Sequence, residues 1–193
     1  TITMDAPSQI SPGTVWPLFT GASTAPVAFT NPGDVRPEWW NAGCSVSASL
    51  NTTYIKRAID SLPTGGKLGW VKFQSCIYQH DNSLPTNSRN VGFVGAGSHS
   101  TTLTLTTASS GRHGFYCTGT TQHIRVVGMT FAASPAHTAD NSQSAVRCDV
   151  GALRLFGGLP HLLWYIRPNN ERGQPAMRSS TSASRGLRAS GDG

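Results

Sequence analysis

Asp34-Val-Arg-Pro-Glu-Trp-Trp-Asn-Ala-Gly43, followed by a short amphipathic segment and then by glycine-punctuated apolar runs, is the stretch that decides the fold. Asn41 suits a tight turn there, because Asn tolerates positive φ better than most residues. Downstream, Ile55, Ala58, Ile59 and Leu62 fall at i, i+3, i+4 and i+7. That spacing predicts a helix of about two to three turns near residues 54–62, with one apolar stripe. Asn51 or Thr52 is placed to N-cap it, and Pro63 with Gly65 to stop it. So short a helix is marginal alone in water, so its stripe must dock on something apolar.

After the helix the period changes. Thr101-Thr-Leu103-Thr-Leu105-Thr-Thr107 alternates apolar and hydroxyl residues at period two, as a half-buried strand does. Arg89-Asn-Val91-Gly-Phe93-Val94-Gly95 is echoed by Gln122-His-Ile124-Arg-Val126-Val127-Gly128, with the closing glycines 33 residues apart (128 minus 95). That spacing lies in the range of solenoid repeats. Each echo sets an apolar strand before a Gly that permits a sharp corner, as a coil of short parallel strands requires. Gly114-Phe-Tyr-Cys117 and Gly128-Met-Thr-Phe131 read as neighbouring strands of the same coil. In such a coil the helix has a natural dock, the open end, where strand edges and core side chains would otherwise face solvent.

From about Val35 to Phe131 the chain resembles the start of the pectate-lyase-like, right-handed parallel β-helix domains of phage tailspikes and secreted glycan-acting proteins. The usual opening Pro-Glu-Trp-Trp-Gly-Ala stands here as Pro37-Glu38-Trp39-Trp40-Asn41-Ala42. The family's Gly-Asp-Gly and Asp-Asp pair are replaced by Gly43-Cys44-Ser45 and Leu50-Asn51. The helix matches Tyr54 to Pro63 before Thr64-Gly65-Gly66, and the following "strand, Pro-Pro-Gly, Thr-Tyr" element appears as Val71-Lys-Phe73, Gln74-Ser75-Cys76, Ile77-Tyr78. The resemblance implies an all-β fold, a truncated right-handed parallel β-helix (solenoid) with an N-terminal capping α-helix. Residues 1–33, with Thr14-Val-Trp-Pro-Leu-Phe19 and Val27-Ala-Phe29 between Gly and Pro turns, form a β lead-in; 34–146 are the start of the coil.

Residues 147–193 read differently. They hold seven Arg, no Lys and three acids, whereas residues 1–146 hold eight Lys or Arg and six acids. Strand patterning fades near Cys148, and an Arg-only, Ser- and Gly-rich tail reads either as the product of a shifted reading frame or as a disordered linker. Because the net charge of +6 sits mainly in this tail, without regular aromatic interleaving, no nucleic-acid partner is expected. No run approaches the roughly 20 apolar residues of a membrane span, and no signal peptide is visible. The chain starts at Thr1, as a fragment would. Cys44, Cys76, Cys117 and Cys148 lack any Cys-x-x-Cys pair, so zinc is not expected. Buried thiols are the leading reading of the four and disulfides the lesser.

No catalytic residue can be assigned, and no cofactor or metal is expected. Asp34 and Glu38 flank the Trp pair and read as turn and packing residues, and Asp60 as a solvated carboxylate on the helix's polar face. Ligand contacts are expected, if anywhere, at Trp39 and Trp40, which could stack on a sugar ring, and at Asp81 and Asp140 in polar loops. The six His have no Ser or Cys partner at a recognisable spacing. The resemblance implies a phage tailspike or tail-fibre virion protein that binds bacterial surface polysaccharide, homotrimeric when intact, with any depolymerising activity residing in the full-length form. The alternatives are a secreted polysaccharide lyase or glycoside hydrolase of the same superfamily, and a non-catalytic β-helix scaffold.

Overall fold

The computed structural model describes residues 1–10, 17–19, 26–107, 111–117, 123–133 and 144–148. Among the described residues the protein is mostly β, with parallel sheets and one α-helix. Strands β1 (Ile2–Met4) and β2 (Val27–Phe29) pair near the start. Nine strands follow the helix in chain order: β4 (Leu68–Lys72), β5 (Cys76–His80), β6 (Leu84–Pro85), β7 (Asn90–Val94), β8 (Thr101–Leu105), β9 (His113–Cys117), β10 (Ile124–Val127), β11 (Thr130–Ala133) and β12 (Ser144–Cys148). They form three sheets, β4-β7-β10, β5-β8-β11 and β6-β9-β12, the first extended at its edge by β3 (Asp34–Val35). The chain therefore visits the three sheets in the same order three times. Every pairing among the described residues is parallel.

The 33-residue echo in the sequence is a register in space. Val91 lies opposite Ile124 and Val94 opposite Val127. At the following corner Gly128 has φ +61°, and a side chain on Gly95 would meet the Gly128 carbonyl oxygen at 2.2 Å, so the two glycines let successive corners stack. Inward residues stack in the same way: Val71, Phe93 and Val126 in one sheet, Leu84, Phe115 and Val146 in another, all buried. The Phe93 and Phe115 rings stack face to face at 3.5 Å, and Phe131 meets Phe115 edge-on at 5.5 Å. In β8, Thr101, Leu103 and Leu105 point inward; the buried Thr101 hydroxyl is satisfied by the Gln74 carbonyl (2.7 Å) and the Ala96 amide (2.8 Å).

Helix α1 (Ala48–Ser61) packs on β5, β6, β2 and the Pro37–Trp40 turn, against the first-strand edges of two sheets. Its stripe is as expected, with Ile55, Ala58, Ile59 and Leu62 all buried. Its start is not. Asn51 and Thr52 lie inside the helix, and the N-cap is Ser47, whose carbonyl accepts from the Asn51 amide (2.9 Å). The first turn buries no apolar residue, leaving Leu50 exposed, so periodicity could not register it. Asn51 instead clamps the preceding loop, accepting from the Gly43 amide (2.9 Å) and donating to the Gly43 carbonyl (3.0 Å). At the other end Arg89 donates to the carbonyls of Leu62 (2.7 Å) and Asp60 (2.8 Å), a cation on the helix's orphan acceptors.

Two further expectations change. Cys44 and Cys76 form a disulfide with Cα atoms 5.4 Å apart, and Cys117 is also disulfide-bonded, so these are not free thiols. The loop before the helix, bonded at Gly43 to Asn51, carries Cys44 to Cys76 of β5. Strand β12 also runs past the boundary set at 146, since Arg147 and Cys148 continue its register with Tyr116 and Cys117. The remainder of the tail, 149–193, lies outside the described residues.

Candidate functional site

Trp39 and Trp40 do not offer a sugar-stacking surface. Both are buried, at 2% and 3% exposure, in a 3-10 turn, Pro37–Trp40, that ends on Asn41 at φ 77°. The lead-in covers them: the Leu18 and Phe19 amides donate to the Trp39 carbonyl (2.8 and 2.9 Å), and the Phe19 ring lies 4.9 Å from that of Trp40. Their positions are fixed by packing.

Each acid in the described residues has a bonding partner, and all but Asp34, which pairs with Lys72 on the surface, tie separate parts of the fold together. Glu38 is buried beneath the Trp pair, where Oε1 accepts from the Tyr78 hydroxyl and the Gln74 amide, while Oε2 has no partner. Burial raises its pKa above the ordinary carboxylate range, against the lowering pull of Tyr78, the Gln74 amide and Arg36. Burial, with Glu38 beside it, also raises the Tyr78 phenol. Asp60 is not merely solvated, because it accepts from Asn87 (2.7 Å) and Arg89 (3.2 Å). Asp81 is half-buried and ties the corner after β5 to the helix: its Oδ1 accepts from the Thr52 hydroxyl (2.7 Å), which in turn accepts from the Asp81 amide (3.0 Å). Asp5 accepts from Thr30 (3.1 Å) and Asn31 (2.8 Å) in the lead-in. Asp140 lies outside the described residues. His80 is buried, and burial lowers its pKa, so it is a neutral core group with Nδ1 on the Asn82 carbonyl (2.8 Å).

What the structure does assemble is an outward row on the four-stranded sheet. Alternation sends Val35, Val71, Phe93 and Val126 inward, and so turns Asp34, Trp70, Gly92 and Arg125 outward, side by side in register. The half-buried Trp70 lays its ring over Gly92, where a Cβ would come within 2.1 Å of the indole. No other residue type leaves room for the ring there. The Arg125 guanidinium lies 5.9 Å from the ring centroid, and Lys72, one alternation along β4, pairs with Asp34 at 2.6 Å. The row thus presents a half-buried indole, a guanidinium over its ring and an exposed ion pair, groups that can bond the hydroxyls of a ligand while the edge of the indole meets its apolar face.

Sequence reasoning missed this site because Trp70 and Gly92 are 22 residues apart and only the register joins them. The available signal was the alternation of Leu68-Gly-Trp70-Val-Lys72, which puts an aromatic on the side opposite Val71. No group of three or more His, Cys, Asp or Glu placed to hold a metal occurs among the described residues, and no helix there is long and apolar enough to cross a membrane. No protein-family model, curated protein or solved structure matches the chain.

Proposed function

We propose that this chain is the beginning of a right-handed parallel β-helix of the phage tailspike or tail-fibre type, and that its coil binds bacterial surface polysaccharide. The threefold recurrence of the same sheet order with stacked inward side chains supports the fold reading. The observation that carries the function is the Trp70 ring seated on Gly92 between charged neighbours, on an outward β face. Stacked parallel strands give such a face rigidity, and a rigid platform loses little entropy when a ligand docks. The proposal is of binding, with depolymerisation left to the intact parent. The parent is proposed to be a homotrimer in the virion.

The Cys44–Cys76 disulfide favours a second reading, a secreted polysaccharide-acting protein, because disulfides persist in oxidising compartments. Affinity electrophoresis of the purified chain through gels cast with extracted bacterial surface polysaccharides tests the binding function shared by both. Retarded migration in at least one gel is expected, and unchanged mobility in all of them would overturn the proposal.

A further inference from the structure

A buried carboxyl group sits at the joint between the lead-in and the sheets. Glu38, 6% exposed, stands in the Pro37–Trp40 turn; its Oε1 accepts from the Tyr78 hydroxyl and the Gln74 amide, and its Oε2 is buried with no partner. A neutral acid tolerates that placement, because its proton rests on Oε2 and no charge is stranded. A carboxylate does not, since burial strips it of water and two neutral donors replace only part of its hydration. The groups packed around it compensate little. Helix α1 buries Asn51, Thr52, Ile55, Ala58, Ile59 and Ser61, none of which titrates, and Leu18 and Phe19 of the lead-in carry no charge. On β5, Tyr78 stays a neutral phenol and burial disfavours the charge on His80. The half-buried Arg36 pulls toward the carboxylate, but burial outweighs that pull.

The turn lies between two unequal covers. On the sheet side Tyr78 belongs to a strand paired with β8 from Cys76 to His80. On the lead-in side Leu18, 41% exposed, and Phe19 each give one amide bond to the Trp39 carbonyl, and the Phe19 ring leans on Trp40. The lead-in is the cover that yields at lower cost. We propose that Glu38 is a pH-operated latch for the lead-in: as the neutral acid it lets the Leu18–Phe19 segment close over the Trp39–Trp40 turn, and on ionising it drives that segment off so that the carboxylate reaches water. The proton passes to solvent, and the sheets beneath stay paired. In the closed state the acid keeps its proton above the ordinary 4.5, so closure is fully favoured below that value and is lost as pH rises through the closed-state one.

Amide hydrogen exchange of the full chain, read by proton–nitrogen NMR between about pH 4 and 8 and corrected for the intrinsic rate at each pH, tests the latch. The Gly95 amide, bonded to the Val127 carbonyl (2.9 Å), reports unfolding of the sheets. The Leu18 and Phe19 amides should be at least roughly tenfold less protected than Gly95 throughout, as local opening requires. Their protection should fall by up to roughly tenfold per pH unit above 4.5 and level off once Glu38 has ionised. Glu38→Gln, which keeps the shape and cannot ionise, should leave their protection flat with pH. Tyr78→Phe removes a donor to the carboxylate, so the fall should continue to higher pH and be larger in total. Flat protection in the wild type, the same fall in Glu38→Gln, a fall that ends at an unchanged pH in Tyr78→Phe, or Leu18 and Phe19 exchanging no faster than Gly95 would each overturn the latch.

Discussion

Ile59→Ala is the sharpest test of how the helix is held. Ile59 is fully buried at the centre of the stripe formed with Ile55, Ala58 and Leu62, on a helix packed against β5, β6 and the Trp39–Trp40 turn. The change removes three carbons from a fully buried site between the helix and the sheet edges it packs on. Large-to-small changes in such cores cost about 2–5 kcal/mol, and a side chain with no exposed surface points to the middle of that range, about 3–4 kcal/mol. For a domain of this size that lowers the melting temperature by roughly 10–15 °C. Thermal unfolding followed by far-ultraviolet circular dichroism measures it, with Thr53→Ala, on the exposed face of the same helix, as the control expected to stay within about 0.5 kcal/mol of the wild type. Ile59→Asp should be worse and provoke aggregation, since an unpaired buried carboxylate costs several kcal/mol. An Ile59→Ala melt within about 2 °C of the wild type would show that the stripe does not hold the helix on the sheets.

Glu38→Gln should stabilise the protein increasingly as pH rises. The folded pKa of Glu38 lies above its ordinary 4.5, so wild-type stability falls from the unfolded pKa up through the folded one, while Gln does not titrate; a difference in melting temperature that is flat from pH 4 to 8 would refute this. Arg89→Ala should cost about 1–3 kcal/mol by leaving the Leu62 and Asp60 carbonyls without their donors, read as a shift in the urea midpoint; an unchanged midpoint would show that water replaces the guanidinium at no cost. Cys44→Ser should lower stability by about 3 kcal/mol through loss of a cross-link spanning 32 residues, and in the wild type a reductant, which also opens the Cys117 bridge, should lower it at least as much; insensitivity to reductant would count against the bridge.

What was legible in the sequence had a period. The stripe from Ile55 to Leu62 follows the helical turn, and the 33-residue echo follows the parallel register of β7 with β10, so both could be read before the fold was known. Features set by contacts between distant positions could not. The first turn of α1 buries nothing apolar and its N-cap Ser47 makes no side-chain bond, so nothing local announced it. The Cys44–Cys76 bridge joins the loop before the helix to a strand after it, a proximity that no spacing rule announces. The aromatic candidates were misplaced for the same reason. Trp39 and Trp40 are conspicuous as a pair yet covered by a lead-in residue some 20 positions upstream, whereas Trp70 is inconspicuous until register sets it on Gly92.

The indole N–H resonances of the protein, followed by two-dimensional proton–nitrogen NMR during titration with a retained polysaccharide, test the central claim in one experiment. Trp70 should shift progressively to saturation, while Trp39 and Trp40, sealed in the core, should stay in place. Shifts confined to Trp39 and Trp40, or a bound polysaccharide that leaves the Trp70 indole unmoved, would contradict the assignment of glycan binding to the outward face of the four-stranded sheet.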